Sequence, residues 1–330
     1  MKICIMSDTH LSAVKYLKVD KELGLNRFLV RQFQSMEWVM NYLRDNNIST
    51  IVHAGDFFDT PNVGVYPLKR ASELFRGTYT YAIKGNHDDT SFLHDNNMSS
   101  LDLIGINAIN KPTKLSLGST NFVMIPWGFE VDTSLLDNNK KNVLVTHAFP
   151  RDYLGDGKVS KQDTNVAGLL SNKALLFDLV ITGHYHKVDE FQEGKTRFLN
   201  PGSLSAFAND DTDPSIWILD TETLSYERVK IPCAIKLYKI RPRDVNTYLQ
   251  NINEENIYRF YLKQDARVDS KLLLQAKRVA LDIQFRYNDS QVKKEKVEAV
   301  NDFWSYVKDI KTAYLKDFQD TLQTLEQQQD

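Results

Sequence analysis

The chain has 330 residues, 42% of them hydrophobic and 25% charged, which is typical of a soluble globular protein with one large domain and a smaller one. No apolar run approaches the roughly 20 residues that a membrane-spanning helix needs, and the start, MKICIMSD, is too short for a signal peptide, so we expect a cytoplasmic protein with no membrane partner. Two cysteines, Cys4 and Cys233, are too few for a disulfide framework or a thiolate metal site.

The net charge of -2 is divided unevenly along the chain. Residues 1–232 hold 24 Lys and Arg against 28 Asp and Glu, residues 233–290 hold 11 against 7, and residues 291–330 hold 6 against 8. A basic segment joined to an acidic one is a weak indication of a polyanionic partner such as DNA, although a solvated charged face explains the same counts.

The first 232 residues alternate short apolar runs that stop at polar residues with amphipathic segments of helical spacing. Strands are predicted within KICIMSDTH, TIVHAGDFFD, YTYAIKGNHD, NVLVTHA and LVITGHYH, and helices at FLVRQFQSMEWVMNYLRDNN and YPLKRASELFRG. The later strands TRFLNPG, SIWILD and LSYERVKI are separated by turn residues and indicate an antiparallel portion. The pattern predicts an α/β core with a pair of mixed sheets.

The pattern changes after residue 232. AIKLYKI, RDVNTYLQNI, ENIYRFYLKQ, SKLLLQAKRVALD and IQFRY are typical of strand, helix, strand, helix and strand, which predicts a small separate domain over residues 233–290. Residues 291–330 have no strand signal and are predicted to be helical. Their apolar stripe consists of Phe303, Val307, Ile310, Tyr314, Phe318, Leu322 and Leu325.

Polar residues with metal-binding or proton-transferring side chains follow five of the predicted strands. The set is Asp8, His10, Asp56, Asp59, Asn86, His87, His147, His184 and His186. Ligands of open α/β sheets gather outside the carboxyl ends of the strands. Residues two apart in an extended segment share a side, which places Asp8 beside His10. Gly85 is interpreted as a turn residue that tolerates positive φ and lets the backbone approach a ligand.

The residue types in this set favour divalent cations. Five histidines, three carboxylates and an amide, without sulfur, suit manganese, iron or zinc. Two such ions beside two aspartates leave a positive site that attracts phosphate and lowers the pKa of bound water, so metal-assisted phosphoester hydrolysis is the predicted reaction class. Taken singly, each motif also fits a helix cap or an ordinary turn. His53 is interpreted as a core or supporting histidine, and His94 as a surface residue.

Together the motifs resemble those of the calcineurin-like metallophosphoesterases, whose pattern is D-x-H, G-D-x-x-D, G-N-H-[DE], H and G-H-x-H in this order. The chain has SDTH, GDFFD, GNHD, VTH and GHYH over its first 232 residues. The SDTHL start, the GNHD form, NPGS at 200–203 and the appended modules are similar to the SbcD-type DNA double-strand-break nucleases. The compact length resembles bacteriophage-encoded members, which act in the bacterial host cytoplasm.

The resemblance implies a sandwich of two mixed β-sheets flanked by helices, a small α+β capping domain and C-terminal helices. It also implies two divalent ions, manganese first among them. One ion would be held by Asp8, His10, Asp56 and His186. The other would be held by Asp56, Asn86, His147 and His184, with Asp56 bridging the pair.

The resemblance further implies that His87 stabilises the transition state and protonates the departing sugar oxygen, and that Asp59 orients His87 and raises its basicity. Some nucleases of the family have histidine in place of Asp59, which puts the exonuclease geometry inferred from them in doubt here. The superfamily's protein phosphatases continue this motif with arginine and glycine, where this chain has Thr60 and Pro61. This difference weakens a phosphatase interpretation.

The implied activity is 3′ to 5′ exonuclease on duplex DNA ends and endonuclease on single strands, in a homodimer bound to an SbcC-type SMC-like ATPase. The terminal apolar stripe is expected to bind that ATPase, although packing on its own domain is the usual fate of such a face. Cations of the small domain are expected to contact DNA phosphates, although solvated charge is the default for any one of them. They are Lys236, Lys239, Arg241, Arg243, Arg259, Lys263, Lys277 and Arg278.

Three alternatives stay open at this point. The chain fits a phosphatase or small-nucleotide phosphodiesterase of the same superfamily. It also fits a catalytically inert scaffold with this fold. The NPGS segment fits either a plain turn or a turn whose amides bind phosphate.

Overall fold

Two six-stranded sheets form the core of the protein. This computed structural model describes residues 1–16, 18–88, 100–148, 173–206, 214–263 and 266–287. In spatial order, the strands of the first sheet are Tyr226–Lys230 (β12), Ser215–Asp220 (β11), Lys2–Met6 (β1), Thr50–His53 (β2), Tyr79–Ile83 (β3) and Asn107–Ile109 (β4). Those of the second sheet are Thr113–Leu117 (β5), Thr120–Ile125 (β6), Lys141–Thr146 (β7), Leu179–Thr182 (β8), Thr196–Asn200 (β10) and Asp189–Glu193 (β9).

Both sheets are mixed, as predicted. In the first sheet β1 to β4 are parallel, and β11 runs antiparallel to β1 and to β12. In the second, β6, β7, β8 and β10 are parallel, and β5 and β9 are antiparallel edge strands. The sequence pattern did not indicate β4, β5, β6 or β9, which include the short and half-exposed strands.

Alternation along the strands divides the core into layers. Ile3 and Ile5 of β1 pack against the second sheet, whereas Cys4 and Met6 pack against the helices on the outer face. Those helices are Arg27–Asp45 (α1), Val65–Phe75 (α2) and the short Ser100–Leu103 (α3). Residues of both sheets share one buried cluster, so the two sheets pack against each other.

A smaller three-stranded sheet follows, with the predicted order of elements confirmed. Its elements are Leu237–Ile240 (β13), Val245–Gln250 (α4), Ile257–Leu262 (β14), Ser270–Val279 (α5) and Asp282–Tyr287 (β15). The three strands are parallel, and α4 and α5 share one apolar cluster with a single face of the sheet. Each helix begins after an aspartate whose carboxylate accepts backbone N–H groups of the first turn, Asp244 for α4 and Asp269 for α5.

The small sheet is fixed to the first turns of α1. Phe28 shares a buried cluster with Leu237 and Ile257 of the small sheet. Around this cluster, Arg27 Nε lies 2.8 Å from Glu255 Oε1, and Arg31 Nη1 lies 3.2 Å from Glu255 Oε2. Residues 1–287 form one compact unit, so the domain boundary after residue 232 stays a prediction.

The remaining predictions about domain organisation concern the chain end and the membrane. The predicted segment 291–330, with its stripe from Phe303 to Leu325, lies outside the described residues. Among the helices that the structure describes, none combines the length and the apolar character needed to cross a bilayer.

Candidate metal centre

The nine residues of the predicted set all follow strands that end at the same edge of the sandwich. Asp8 and His10 follow β1, and the next two strands of that sheet lead into the loops of Asp56 and Asn86. In the facing sheet, the neighbours β7 and β8 lead into His147 and the His184–His186 loop. Five loops distant in sequence therefore converge, as the sequence predicts.

Asp8, His10 and His186 form a first group, in which the candidate ligand atoms lie within 4.8 Å of one another. The Nε2 atoms of His10 and His186 are 3.2 Å apart, and His186 Nε2 is 3.6 Å from Asp8 Oδ1. A nitrogen and oxygen donor set at this spacing fits a divalent cation of the manganese, iron or zinc type.

Asp56, His147 and His184 form a second group with the same maximum spacing of 4.8 Å. Asn86 Oδ1 completes it, 3.1 Å from His147 Nε2 and 2.9 Å from His184 Nδ1. Asp56 Oδ2 lies 3.2 Å from His147 Nε2 and 3.7 Å from His10 Nε2. One carboxylate oxygen therefore stands between the two groups.

Hydrogen bonds around the groups fix the direction of the donor atoms. His147 Nδ1 donates to the Ala54 carbonyl at 2.7 Å, so its Nε2 lone pair faces the second group. Asp8 accepts the backbone N–H of His184 at 3.1 Å and lies 2.5 Å from the Ser7 hydroxyl. Loops from both sheets are thereby tied together at the centre.

Burial and crowding of like groups shift the pKa values at the centre. Burial raises the pKa of Asp8 to about 6, against the opposing effect of His147. Burial also opposes ionisation of Asp56 and His147, but their mutual attraction holds the pKa of Asp56 well below its usual range and raises that of His147 to about 9. Without metal, His147 therefore carries a proton at neutral pH, which a cation must displace.

Four of the candidate ligands have a left-handed backbone. They are Asp8 (φ 50°), His10 (φ 45°), Asp56 (φ 55°) and His184 (φ 73°), out of seven such non-glycine residues in the described part of the chain. This conformation costs about 1–3 kcal/mol per residue and collects at functional sites. The expectation that Asp8 and His10 share one side of an extended segment was wrong, because left-handed turns bring them together.

The glycine of the GNHD segment has a different role from the predicted one. Gly85 does not lie in the positive-φ region. A Cβ atom there would lie 2.1 Å from Asp56 Oδ1 and 2.4 Å from the Asp56 backbone nitrogen. Glycine is required at this position because the GNHD loop crosses the Asp56 loop in contact, not because of a turn.

His87 lies at the rim of the centre, with its side chain 43% exposed. Its backbone N–H donates to Asp56 Oδ1 at 2.8 Å, and its ring Nδ1 lies 2.8 Å from the carbonyl oxygen of Asp59. The Asp59 carboxylate is 3.0 Å from His10 Nδ1 but 3.9 Å from His87 Nδ1. The structure therefore corrects the atoms involved: the Asp59 carbonyl holds His87, and its carboxylate faces His10.

Asp88 has an organising role that the sequence analysis missed. Its buried carboxylate accepts the backbone N–H groups of Phe57, Phe58 and Gly85, each at 3.1 Å. These bonds join the GDFFD loop to the GNHD loop. The acidic fourth position of the GNHD motif was the available signal.

Trp127 was also missed. Its ring centroid lies 5.0 Å from that of His184 and 6.0 Å from that of His147. Because β6, the strand that precedes Trp127, was not predicted, no pattern indicated that this residue lies at the centre.

The structure also bears on the NPGS segment and on the interpretation of His53. In the NPGS segment, the Gly202 N–H donates to Asn200 Oδ1 and the Ser203 N–H to the His186 carbonyl, which favours a turn that supports the His184–His186 loop over a phosphate-binding turn. His53 is a buried core histidine with Nε2 3.1 Å from Thr9 Oγ1, as predicted, and His94 lies outside the described residues.

The predicted DNA-contacting cations need one correction. Arg259 is only 4% exposed, and its Nε donates to Gln284 Oε1 at 2.9 Å, so it does not face a solvent-side ligand. Lys236 is half-buried. The exposed members are Lys239, Arg241, Arg243, Lys263, Lys277 and Arg278.

A family model described as the calcineurin-like phosphoesterase superfamily domain matches residues 1–224, more than half of the chain. The chain belongs to the calcineurin-like phosphoesterase superfamily. A divalent-metal centre is implied by this membership, and the two ligand groups fit it.

Two curated proteins are similar to this chain. The DNA double-strand break repair protein Mre11 of Methanosarcina acetivorans is 27% identical over 257 residues, which cover 70% of this chain and 39% of that protein. Exonuclease subunit 1 of Enterobacteria phage T4 is 26% identical over 239 residues, which cover 68% of this chain and 66% of that protein. The match therefore spans about two fifths of the archaeal protein.

Solved structures that are similar to this chain include a novel archaeal phosphodiesterase, with 22% identity, a TM-score of 0.40, and coverage of 70% of this chain and 99% of that chain. A phosphoesterase from E. coli has 16% identity and a TM-score of 0.37, with coverage of 70% and 100%. At these scores neither likeness bears on the chemistry.

Proposed function

We propose that this chain is a DNA nuclease that cleaves phosphodiester bonds with two divalent ions, manganese first among them. The observation that carries the proposal is the meeting of two ligand groups at Asp56 beside the exposed imidazole of His87. When bound, the ions would supply positive charge for the phosphate and would lower the pKa of an attacking water.

In this proposal each side chain of the centre has one assigned role. One cation site consists of Asp8, His10, Asp56 and His186. The other consists of Asp56, Asn86, His147 and His184. Asp56 belongs to both sites because its Oδ2 lies near a histidine of each group.

The remaining role, that of the proton donor, belongs to His87. Its Nδ1–H donates to the Asp59 carbonyl, so Nε2 is the nitrogen that is left to face a substrate. An Nε2–H in the imidazolium form then donates a proton to the departing sugar oxygen, while the Asp59 carboxylate supports His10.

The small domain supplies a surface suited to a polyanion. Its two described helices cover one face of the parallel sheet, and the strand register places Lys239, Arg241, Tyr261 and Arg286 on the other face. The Arg241 guanidinium carbon lies 5.4 Å from the centroid of the Tyr261 ring. The exposed cations and the aromatic ring of this face suit a DNA strand, with backbone charge as the main source of affinity.

The finer parts of the proposal are 3′ to 5′ exonuclease on duplex ends, endonuclease on single strands, a homodimer and an SbcC-type ATPase partner. They are supported by the similarity to a double-strand-break repair protein and to an exonuclease subunit. A pull-down that compares the intact chain with one ending at Val292 tests the partner surface from Phe303 to Leu322, and equal recovery of the ATPase would contradict it.

The activity itself is tested with purified protein and Mn²⁺ on linear duplex DNA, on single-stranded circles and on p-nitrophenyl phosphate esters. We expect both DNA substrates to be degraded faster than the esters. Preference for a small ester would favour the phosphatase or small-nucleotide diesterase alternative, and no hydrolysis with bound metal would favour an inert scaffold.

A further inference from the structure

The indole of Trp127 lies on one side of the candidate metal centre. Strand β6 pairs in parallel with β7, with Ile125 opposite Thr146, so the residues that follow β6 lie beside His147, which follows β7. The Trp127 backbone N–H donates to the Lys84 carbonyl at 2.9 Å, which ties this loop to the start of the GNHD segment. Its position is therefore fixed from both sheets.

Among the described residues, the rings that contact this indole both belong to the second ligand group. The ring is tilted by 31° to the His184 ring, with 5.0 Å between centroids, and meets the His147 ring edge-on at 71° and 6.0 Å. These are the two histidines that share Asn86 Oδ1. In the first group, His10 instead has the Asp59 carboxylate at 3.0 Å.

We propose that Trp127 is a positioning residue that holds the histidines of the second ligand group, His147 and His184. The two cation sites would then differ in their supporting contacts, because only the second has this indole against its histidines. His147 is already fixed by its bond to the Ala54 carbonyl. His184 itself has a left-handed backbone and lies at the start of the loop that follows β8, so the packing of the indole against its ring restricts how far that ring can turn. The inference rests on the proposed dinuclear function.

The test is Mn²⁺ binding by the intact chain, measured by calorimetry and by the EPR signal of free Mn²⁺, in wild type, Trp127→Ala and Trp127→Phe. We expect Trp127→Ala to weaken one of two sites by roughly 10–100-fold, the usual effect of losing a supporting contact, and to leave the other unchanged. Trp127→Phe keeps a ring against His184 and is expected to restore most of the loss.

A control and a second readout separate positioning from general damage. Trp38 stacks on Tyr42 at 5.5 Å on the outer helix α1, so Trp38→Ala is expected to leave both sites unchanged. We expect Mn²⁺ binding to quench indole fluorescence in the wild type. In Trp127→Phe, which folds with the smaller ring, we expect this quenching to be largely lost.

The outcomes distinguish this inference from the function on which it rests. A wild-type chain that binds no pair of ions would overturn the proposed function. A wild-type chain that binds two ions, with both sites unchanged or equally weakened in Trp127→Ala, would overturn the role of Trp127 alone. If Trp127→Ala does not fold, Trp127→Leu takes its place because it keeps apolar volume without a ring. Weakening of one site in that variant supports the role, and unchanged or equally weakened sites overturn it.

Discussion

At the level of single residues, the contrast between His87 and its neighbours is one of exposure. His10, Asp56 and His147 are buried, whereas the His87 side chain is 43% exposed. A buried side chain can hold a cation, but a proton donor must reach the substrate. Exposure thus separates the proposed proton donor from the proposed ligands.

Replacement of His87 by Gln tests this role. We expect DNA cleavage to fall by about 100-fold or more, because a positioned acid contributes about that factor. Folding and Mn²⁺ binding are expected to be retained, since the backbone N–H of residue 87 still donates to Asp56. Calorimetry with Mn²⁺ and a single-turnover cleavage assay make the measurement, and unchanged cleavage would remove His87 from the mechanism.

Which residues form the centre was predictable, whereas their atoms were not. Residue type and motif order place nine side chains at the strand ends, and the structure brings them together. The Asp59 carboxylate was assigned to His87, but whether a carbonyl or a carboxylate reaches a ring depends on backbone direction, which a sequence pattern does not specify. Left-handed φ at Asp8 and His10 was missed for the same reason.

At the level of elements, the centre depends on how closely the loops after β2 and β3 pass each other. Gly85 touches the Asp56 loop, and Asp88 binds the amides of Phe57 and Phe58. The two loops therefore behave as one unit, and a disturbance of either moves both Asp56 and Asn86.

The change Gly85→Ala tests this coupling. A methyl group 2.4 Å from the Asp56 nitrogen forces the loops apart, so we expect a loss of about 1–3 kcal/mol in unfolding free energy together with weaker Mn²⁺ binding. Gly64→Ala is the matched control, because its Cβ would meet only Pro67 Cδ at 3.7 Å, an ordinary contact. Urea unfolding and metal titration of both variants make the comparison, and equal behaviour would contradict the coupling.

Most strands that consist of a buried apolar run were predictable. The apolar runs of β1, β2, β3, β7 and β8 are buried on both faces, and each was predicted. The edge strands β4, β5 and β9 are short or half-exposed and have little apolar pattern, which explains their omission. In the small domain, the alternation of strands and helices was sufficient to predict the order, but the parallel register came from the structure.

At the level of the whole molecule, Glu255 joins the small sheet to the sandwich. Its carboxylate lies 2.8 Å from Arg27, 3.2 Å from Arg31 and 3.7 Å from Lys18, and its side chain is 16% exposed. Lys18 also donates to the carbonyls of residues 278–280 at the end of α5. The orientation of the small sheet is thereby set by ionic contacts around an apolar cluster.

We expect Glu255→Ala to lower the free energy of unfolding by about 2 kcal/mol, below the 3–5 typical of a fully buried pair because the carboxylate keeps some contact with water. Urea unfolding makes the measurement, and a double-mutant cycle with Arg27→Ala isolates the pair. Glu22 is an exposed acid between Lys18 and Arg27, and Glu22→Ala is the control. Its free energy of unfolding should stay within about 0.5 kcal/mol of the wild-type value. A coupling energy near zero would contradict the assignment.

The same contact has a defined pH dependence. Burial tends to raise the pKa of Glu255, but the hydrogen bonds and charges of Arg27 and Arg31 hold it below its ordinary value. The stabilisation is therefore complete above the unfolded-state pKa of about 4.3 and is lost as pH falls through the lower folded-state pKa. The Glu255→Gln variant should show a smaller loss of stability over that acid range than wild type.

The distance in sequence between Asp8 and His184, whose backbone N–H it accepts, has a consequence for biosynthesis. A polypeptide translated only as far as residue 183 still lacks one histidine of each ligand group, because His184 and His186 belong to different groups. Strand β1 likewise waits for β11 before its second edge is paired. Under the proposed activity, an unfinished polypeptide cannot cleave the nucleic acid of the cell that makes it. The chain becomes able to cleave only near the end of translation of the core.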